Sequence, residues 1–336
     1  MNTIKSGILS FGMSGQIFHA PFLDTHQGFE LCAVVERSKK KAKSIYPQIK
    51  SYDSVDDLIV DDSIELVVVN TPNVTHFEFA LKALQAKKHV LVEKPFAITS
   101  EEAKHLYQVA RENNVQIFPY HNRRYDSDFL SVKSVLESGQ LGDLVEAHFR
   151  FDRYKLELGS KIPKETPVPG GGLLYDLGPH ILDQSLSLFG KPEKWEKNLG
   201  HFRPNTKVDD YANIHLTYPS GLQVFLTGSL LVAAPLPSFV VHGTQGSYIK
   251  NRTDVQEKQL SEGMRPGDTG YGIESDEAEG MLTIVSSDGE KTQKRIQAEP
   301  SSYMHLFEDV YQAIREGKSY PVTEDQIIQQ LEILEK

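Results

Sequence analysis

Apolar residues occur along the first 120 positions in short continuous runs, and segments with a helical pattern lie between them. Runs that do not alternate with polar residues are typical of parallel strands buried on both faces of a sheet. The predicted strands are 4–11, 30–36, 66–70, 89–92 and 116–119, and the clearest predicted helices are 75–86 and 100–113. Thr99 and Glu102 have the spacing of a capping box at the start of the second helix. This order predicts a doubly wound α/β sheet over residues 1–120.

The pattern changes after Tyr120. A predicted helix, 128–137, leads into a strand, 144–154, and later runs alternate or carry β-branched residues between Gly and Pro: 212–218, 223–231, 239–242 and 281–285. Residues 243–247 are predicted to form a hairpin turn, and 263–280 a long loop. The pattern favours a mostly antiparallel sheet, and therefore an α+β domain over residues 121–336. We expect its C-terminal helices to pack back on the first domain.

Composition narrows the class of protein. A chain of 336 residues is long enough for two domains, and its net charge of −10 argues against nucleic acid as a partner. The single cysteine, Cys32, lies in an apolar run, which favours a core role and a reducing compartment. The chain does not open with a signal-peptide pattern, and its longest apolar stretches fall short of the roughly 20 residues of a membrane span. We therefore expect a cytoplasmic protein with no membrane partner.

A glycine-containing loop follows the first predicted strand. Gly12 would let the backbone approach a pyrophosphate, Gly15 would let the next helix pack close to the strand, and the helix N-terminus would stabilise the phosphate charge. The usual fingerprint has three glycines, and this chain has Ser10 at the position of the first. Because a strand precedes the loop and a helix follows it, Ser10, Gly12, Met13, Ser14 and Gly15 are predicted to bind a dinucleotide in a Rossmann domain.

The end of the second strand is expected to select the nucleotide. Glu36 lies 21 residues after Gly15, where a carboxylate would bind the ribose hydroxyls of NAD. Five cations follow within 37–43, and such a cluster suits the 2′-phosphate of NADP, although charge runs usually lie in water. Glu36 would repel that phosphate, whereas Arg37 and Ser38 would attract it. The cofactor is therefore NADP or NAD, with a slight preference for NADP.

Two further loops end strands at the same edge. Thr71, Pro72, Asn73 and His76 follow the third predicted strand and are candidate cofactor ligands, although this segment also suits a helix cap. A polar segment, 121–125, follows the strand at 116–119 and would bring guanidinium groups near the crevice, unless these simply face solvent. The candidate substrate ligands, including two at the end of strand 144–154, are Asn122, Arg124, Arg153 and Tyr154.

Glu93, Lys94 and Pro95 directly follow the apolar run 89–92. Ligands of open α/β sheets bind at the carboxyl ends of the strands, where Lys94 is expected. Pro95 has no N–H and a fixed φ, so it would hold the lysine at the mouth of the crevice. A lone Glu-Lys-Pro tripeptide is common on surfaces, but its position makes Lys94 a candidate catalytic residue, and makes both Glu93 and Lys94 candidate cofactor ligands.

A second candidate lies in the segment 169–183. Asp176 and His180 are four residues apart, so on a helix they share one face. A carboxylate beside an imidazole can fix its tautomer and tune it as a general base. The alternative is a capping Asp and a half-buried His. Pro179 suggests that 176–179 is the entrance turn of the helix, and no ligand spacing for a metal site is recognisable.

These motifs occur in the same order in the glucose–fructose oxidoreductase and inositol dehydrogenase family, which this chain resembles over essentially its whole length. Segments 121–130 and 175–180 look particularly like the NADP-dependent scyllo-inositol dehydrogenase branch. The chain departs from the family pattern at Ser10, at Glu36-Arg37, and at Lys161-Ile162-Pro163-Lys164, where a Trp-Arg pair would be expected.

The resemblance implies a Rossmann domain, an α+β domain with a large open sheet, and reversible oxidation of a sugar or cyclitol hydroxyl. It also implies that His180 takes the hydroxyl proton, that Asp176 orients His180, and that Lys94 stabilises the reacting oxygen. A cofactor-sensing regulatory protein and an NAD-dependent glycosidase remain alternatives on this fold. Because nothing in the chain would cover one face of the sheet, we expect an exposed apolar patch and a homodimer or homotetramer formed through residues 212–242.

Overall fold

The computed structural model describes residues 3–159 and 165–335. The segment 161–164, where the family pattern would have a Trp-Arg pair, lies outside these residues. The chain divides into two compact units. The first unit comprises Met1–Asn122, Gln256–Tyr271 and Ser302–Leu331, and the second comprises Arg123–Val255, Gly272–Ser301 and Glu332–Lys336.

The first unit contains, among its described residues, one six-stranded parallel sheet with the order β3-β2-β1-β4-β5-β6. Its strands are β1 Ile4–Ile8, β2 Phe29–Val35, β3 Lys50–Tyr52, β4 Leu66–Val69, β5 His89–Glu93 and β6 Ile117–Tyr120. The order reverses between β1 and β4, as in a Rossmann fold, so the predicted fold is confirmed. Strand β3 was not located from the sequence because its three residues include no apolar run.

The α-helices within the described ranges are α1 Ala20–Thr25, α2 Ala42–Ile45, α3 Val55–Ile59, α4 His76–Gln85, α5 Ser100–Glu112, α6 Ser127–Glu137, α7 Gly172–Phe189, α8 Val255–Ser261, α9 Met304–Glu316 and α10 Glu324–Glu335. None of these helices is long and apolar enough to cross a membrane. The capping box predicted at Thr99 and Glu102 is confirmed at the start of α5. In the first unit, α9 packs on α1 through the stacked rings of Phe22 and Phe307, whose centroids are 5.3 Å apart.

The second unit contains, among its described residues, one eight-stranded sheet with the order β14-β13-β12-β11-β7-β10-β9-β8. Its strands are β7 Leu144–Asp152, β8 Lys194–Gly200, β9 Tyr211–Thr217, β10 Gln223–Ser229, β11 Phe239–Gly243, β12 Gly246–Lys250, β13 Gly280–Val285 and β14 Lys291–Ile296. Only β7 and β10 pair in parallel, so the prediction of a mostly antiparallel sheet is confirmed. The edge strands β8 and β14 escaped prediction because charged residues, typical of edges, hide their pattern.

The two faces of this sheet differ. Helix α7 packs on one face, against the buried side chains of β7, β9 and β10. The other face carries a row of stacked rings on these strands, with Phe225 5.0 Å from His148 and 4.5 Å from His215 between centroids. Around this row the half-exposed side chains are mostly polar: Glu146, Arg150, Asn213, Thr217 and Gln223. On the neighbouring strands β11, β12 and β13 the same face also carries Val240, Ile249 and Met281, which are half-exposed or exposed. The face is therefore mixed, and the expected apolar patch stays a prediction.

Cys32 lies on β2 and is half-buried. Burial, together with the neighbouring Glu30, raises the pKa of its thiol to about 11. The predicted core role is therefore only partly correct, because one side of β2 remains accessible at this position.

Candidate active site

The glycine loop of the first unit follows β1. It is held by hydrogen bonds to the side chain of Asn70, which directly follows β4. The Asn70 side chain accepts a hydrogen bond from the Ser10 amide at 2.9 Å and donates one to the Ser10 carbonyl at 2.8 Å. A Cβ on Gly15 would overlap that same carbonyl oxygen, so the predicted packing role of Gly15 is confirmed. A Cβ on Gly12 would meet only the Ser10 hydroxyl, at 3.5 Å.

Ser10 replaces the first glycine of the usual fingerprint without strain. Its φ is not positive, so the position does not need the left-handed region that favours glycine. The two hydrogen bonds from Asn70 hold its backbone instead. The loop therefore retains open backbone at Gly12 and half-exposed or exposed side chains at Met13 and Ser14, a combination that fits a bound pyrophosphate.

The segment after this loop begins as a π-helical turn, Gly15–His19, and only then becomes α1. Such turns often occur at functional sites. Here the turn ends at His19, whose side chain is fully buried and lies 3.0 Å from the Glu93 carboxylate through Nε2. The sequence analysis did not identify His19, because a single histidine in an apolar helix start carries no motif.

Glu36 directly follows β2, and its buried carboxylate already accepts hydrogen bonds from the protein. One oxygen accepts hydrogen bonds from the amides of Lys41, at 2.6 Å, and Ala42, at 3.1 Å, at the start of α2. The other oxygen accepts a bond from the Ser51 hydroxyl at 2.8 Å. The side chains of Arg37 and Ser38 are exposed. The structure thus places Glu36 in the protein interior and leaves its cationic neighbour at the surface.

His76 begins α4 and joins two loops at the carboxyl edge of the sheet. Its Nε2 lies 2.8 Å from the Thr71 carbonyl, and its Nδ1 lies 2.8 Å from the Pro95 carbonyl. Burial lowers the pKa of His76, against the two carbonyls, which raise it. In the neutral form only one ring nitrogen donates a hydrogen bond. The His76 side chain therefore interacts with the backbone of both loops. Pro72 and Asn73 form the turn between Thr71 and α4.

Lys94 follows β5, at the predicted carboxyl end of its strand, and the bond from Lys94 to Pro95 is cis. The preceding residue, Glu93, accepts hydrogen bonds from the Ser14 hydroxyl at 2.9 Å and from the Lys94 amide at 3.1 Å. Glu93 is thus tied to the glycine loop, to His19 and to the backbone of Lys94. Like Glu36, it therefore has both carboxylate oxygens engaged by groups of the protein itself.

Helix α7 of the second unit begins earlier than predicted. Its first residue is Gly172, so the interpretation of 176–179 as an entrance turn is wrong, and Pro179 lies inside the helix. Asp209 sets this start, because its backbone carbonyl accepts from Leu173 and its carboxylate accepts from the Leu174 amide at 2.6 Å. Burial raises the pKa of Asp209. A Cβ on Gly172, whose φ is +82°, would overlap this carboxylate.

Asp176 and His180 lie one turn apart on α7, so the shared helix face predicted from their spacing is confirmed. Asp176 is half-exposed, whereas His180 is 6% exposed. The His180 ring lies 6.2 Å from the ring of Phe151 on β7. This combination of an accessible carboxylate and a sheltered imidazole suits proton transfer next to an apolar wall.

Three guanidinium groups surround Phe151. Arg252, Arg153 and Arg123 lie 4.3, 5.0 and 5.2 Å from its ring centroid. Arg123 is buried and pairs with Asp126 and Asp254 at 3.1 and 2.9 Å, whereas Arg153 is exposed. The Arg153 guanidinium and the His180 ring therefore both lie near the Phe151 ring. The role of Arg153 as a substrate ligand stays a prediction.

The other predicted substrate residues are in different settings. Arg124 forms a bidentate pair with Asp183 of α7, at 2.8 and 2.7 Å. Tyr154 forms an isolated β-bridge with Leu231 and is 61% exposed. Asn122 is buried in the first unit and so is not in the same unit as Arg124 and Arg153. Within the described ranges, no cluster of three or more His, Cys, Asp or Glu side chains could hold a metal ion.

Comparison with known proteins identifies the class. The model of an oxidoreductase family with an NAD-binding Rossmann fold matches residues 4–121, and the model of its C-terminal alpha/beta domain matches residues 133–336. Residues 4–121 of the first unit are thus the NAD-binding Rossmann domain of an oxidoreductase. The chain belongs to the Gfo/Idh/MocA oxidoreductase family, as the resemblance in its sequence indicated.

Three relatives show how far the similarity extends. The chain is 38% identical over 354 residues to the uncharacterized oxidoreductase C115.03 of Schizosaccharomyces pombe, covering 100% of this chain and 96% of the relative. It is 36% identical over 335 residues to the scyllo-inositol 2-dehydrogenase (NADP(+)) IolW of Bacillus subtilis, covering 100% and 93%. The solved structure of the putative oxidoreductase yvaA from Bacillus subtilis matches with a TM-score of 0.95 at 35% identity, covering 99% and 95%.

Proposed function

We propose that this protein is a dehydrogenase that transfers hydride between NADP and a secondary hydroxyl of a sugar or cyclitol. The observation that carries the proposal is the full-length similarity to a scyllo-inositol 2-dehydrogenase. The candidate residues Lys94, Asp176 and His180 are all present, which favours turnover over a purely regulatory role. The inositol-like substrate class rests on that similarity, and the roles given to these three residues rest on the family resemblance.

The glycine loop has the properties needed to hold the dinucleotide. The backbone around Gly12 and Ser14 would face the pyrophosphate, and Thr71 to Asn73 would border the nucleotide at the next strand end. When bound, the nicotinamide supplies the acceptor or donor of hydride. The space at Gly12 and the overlap that any side chain would create at Gly15 are the observations that fit this group.

The preference for NADP follows from the way Glu36 is used. A carboxylate that selects NAD must offer its oxygens to the ribose hydroxyls. Both oxygens of Glu36 instead accept hydrogen bonds from within the unit. Because Arg37 and Ser38 are exposed beside it, they are the groups proposed to bind a 2′-phosphate.

The acid–base chemistry is assigned to the protein's own side chains. In the oxidation direction His180 takes the hydroxyl proton, and its neighbour Asp176 on α7 orients it. The Lys94 ammonium binds the reacting oxygen and stabilises the negative charge that develops there. Arg153, which lies against the same ring as His180, is proposed to bind a further substrate hydroxyl.

A panel of inositols and aldoses, each tested with NADP and with NAD, tests the proposal. We expect at least one cyclitol or sugar to produce reduced cofactor in proportion to enzyme, faster with NADP. Release of an aglycone from a glycoside without net cofactor reduction would instead indicate a glycosidase. Tight cofactor binding with no turnover on the whole panel would favour a cofactor-sensing regulatory protein.

A further inference from the structure

Three adjacent strands of the first unit each anchor the glycine loop, or the turn that follows it, through one side chain at the carboxyl end of the strand. The anchoring residues end or directly follow β4, β5 and β6, and the anchored residues are spaced four apart in the sequence. The hydrogen-bonded pairs, at 2.8 to 2.9 Å, are Asn70 with Ser10, Glu93 with Ser14, and Tyr120 with Phe18. The loop is therefore held by the sheet as well as by its own backbone.

Glu93 is the charged residue among these anchors. Its Oε1 accepts from the Ser14 hydroxyl at 2.9 Å and lies 3.0 Å from His19 Nε2, and its Oε2 accepts from the Lys94 amide at 3.1 Å. Burial raises the pKa of Glu93, but the hydrogen bond and charge of His19, together with Lys94 and Ser14, lower it to about 2. An ionised carboxylate only accepts hydrogen bonds, so His19 Nε2 carries the proton. Two donors thus occupy the same oxygen of Glu93.

The π-helical turn explains how two residues five apart in the sequence reach one oxygen. Ser14 directly precedes the turn, and His19 is its last residue. In an α-helix, positions five apart point about 140° away from each other. The π-helical turn is closed here by the bond from the Ala20 amide to the Gly15 carbonyl, and its longer repeat brings such positions back toward one face. The local structure after the glycine loop is therefore matched to the anchor at Glu93.

Aromatic rings confine the His19 side chain. The side chain has no exposed surface, and its ring lies 4.4 Å from the ring of Tyr120 and 6.4 Å from that of Phe307, between centroids. The imidazole therefore has little freedom to turn, and Nε2 stays directed at Glu93. An apolar side chain at this position would leave Oε1 of Glu93 with Ser14 as its remaining donor.

We propose that Glu93 and His19 are positioning residues of the cofactor loop. Together they hold Ser14, and with it the backbone from Gly12 to Gly15, in the form that receives the pyrophosphate, and neither side chain binds the cofactor itself. The proposal rests on the proposed function only in that a dinucleotide binds at this loop. When the anchor is weakened, a smaller fraction of the molecules has the competent loop, and the apparent Kd of the cofactor rises as that fraction falls.

The test removes the donors to Glu93 one at a time and measures the binding of two ligands by calorimetry. The ligands are NADP, or NAD if the wild type binds it more tightly, and the fragment of the same cofactor that lacks the pyrophosphate, 2′-AMP or adenosine. The variants are His19→Leu, His19→Gln, which restores an N–H donor, and Ser14→Ala. The control is His26→Leu, because His26 lies in the first unit and contacts another carboxylate, that of Glu308, at 2.8 Å. Thermal unfolding identifies any variant that is not folded.

We expect the Kd of the dinucleotide to rise about tenfold in His19→Leu and in Ser14→Ala, because each loses one hydrogen bond to a charged group. The Kd of the fragment should stay within about twofold, since the fragment has no group that reaches the loop. His19→Gln should recover most of the affinity, and His26→Leu should retain it. Unchanged dinucleotide binding in the folded variants would overturn the inference. An equal rise for both ligands would also overturn it, because it would indicate a general loss of structure.

A double-mutant cycle distinguishes positioning by Glu93 from direct binding. Glu93→Ala removes the acceptor, so in that background His19→Leu should have no further effect on the Kd of the dinucleotide. Additive effects would show that the two residues act independently and would overturn the inference. If His19→Leu does not fold, Ser14→Ala takes its place in the cycle.

The same measurements separate this inference from the proposed function. A wild-type protein that binds neither NADP nor NAD would overturn both. Cofactor binding without turnover on any substrate would overturn only the dehydrogenase activity, because the role of His19 and Glu93 is measured by binding alone.

Discussion

The two units use their polar motif residues in different ways. In the first unit, the side chains that stand out in the sequence form hydrogen bonds with backbone groups. Glu36 accepts from two amides at the start of α2, Asn70 brackets Ser10, and His76 lies between the carbonyls of Thr71 and Pro95. The loops at the carboxyl edge of the parallel sheet are thereby shaped without exposing these side chains to a ligand.

In the second unit, polar side chains mainly meet other side chains. Arg124 pairs with Asp183, Arg123 pairs with Asp126 and Asp254, and three guanidinium groups surround Phe151. Two adjacent residues differ, because their carboxylates accept from backbone amides: Asp209 from Leu174 at the start of α7, and Asp210 from Phe202 and Arg203.

This difference explains what a sequence motif can report. A loop that binds phosphate presents mainly its backbone, so the side chains in its motif can serve as internal supports. A substrate is recognised by side chains, whose partners are set by tertiary packing. The sequence motifs of the first unit therefore identify the class of binding site, whereas those of the second unit do not identify the substrate.

The largest expected effects test the chemistry that the comparison assigns to each unit. His180→Ala and Lys94→Ala should each lower kcat by about 10²–10⁴-fold while leaving the cofactor Kd within about twofold. Asp176→Asn should be milder and should change the acidic side of the pH–rate profile, because Asp176 orients His180. Steady-state kinetics and calorimetry with the cofactor measure both. Near-normal kcat in His180→Ala would make His180 a structural histidine.

The next effect concerns the outward face of the second unit's sheet. We predict a dimer or tetramer formed through residues 212–242, with the row of rings at His148, Phe225 and His215 in the interface. Phe225→Asp should weaken association roughly 30-fold or more, as for a central aromatic residue of an interface. Sedimentation velocity at micromolar concentration measures this. A monomeric wild-type protein would contradict the prediction directly.

A pair of glycine substitutions separates backbone presentation from packing in the first unit. Gly12→Ala meets only a hydroxyl at 3.5 Å, so the fold should remain while cofactor Kd rises roughly 20-fold because the backbone approach is blocked. Gly15→Ala overlaps the Ser10 carbonyl and should lower the free energy of unfolding by about 1–3 kcal/mol. Urea unfolding and calorimetry on both variants distinguish the two effects. Equal behaviour of the variants would contradict this assignment.

Much of the fold was predictable because its signals are local. The parallel strands of the first unit are continuous apolar runs, and the capping box at Thr99 and Glu102 fixes a helix start within a few residues. Strands β3, β8 and β14 were missed because short or edge strands need little apolar surface. Strand β12 was also missed, because residues 243–247 were interpreted only as a hairpin turn. The start of α7 was missed because it depends on Asp209, which is 37 residues after Gly172 in the sequence.

The loops that form the candidate site could be predicted from the sequence, but most of the contacts between their side chains could not. The spacing of Asp176 and His180 gave their shared helix face, since that depends only on helix geometry. The inward turn of Glu36 and the link from His19 to Glu93 could not be predicted, because each depends on a partner from another strand or helix. The signal that could have suggested His19 is its position directly after a glycine loop, inside an otherwise apolar segment.

The relative affinity for NADP and NAD tests whether Glu36 only supports the protein backbone or binds the cofactor. We expect NADP to bind about tenfold or more tightly than NAD, since one contact of a cation with phosphate contributes on the order of 1–3 kcal/mol. Arg37→Ala should remove most of this preference, whereas Glu36→Gln should leave the ratio of the two Kd values nearly unchanged. Calorimetry with both nucleotides measures the ratio. Equal or tighter binding of NAD by the wild-type protein would contradict the role of Arg37.

The last effect is a loss of stability that begins only below about pH 5, and it tests the hydrogen bonds that hold the Glu93 carboxylate. Its pKa is lowered from 4.5 to about 2 because His19, Lys94 and Ser14 outweigh the cost of burial. A carboxyl with a depressed pKa stabilises the fold above its unfolded pKa, and that stabilisation is lost as the pH falls from about 4.5 toward 2. The free energy of unfolding of the wild type should therefore exceed that of Glu93→Gln by a constant amount above pH 5. Below that pH the two values should converge, and urea unfolding from pH 7 to pH 3 measures the difference. A difference that stays constant down to pH 3 would show that His19 and Lys94 do not stabilise the Glu93 carboxylate.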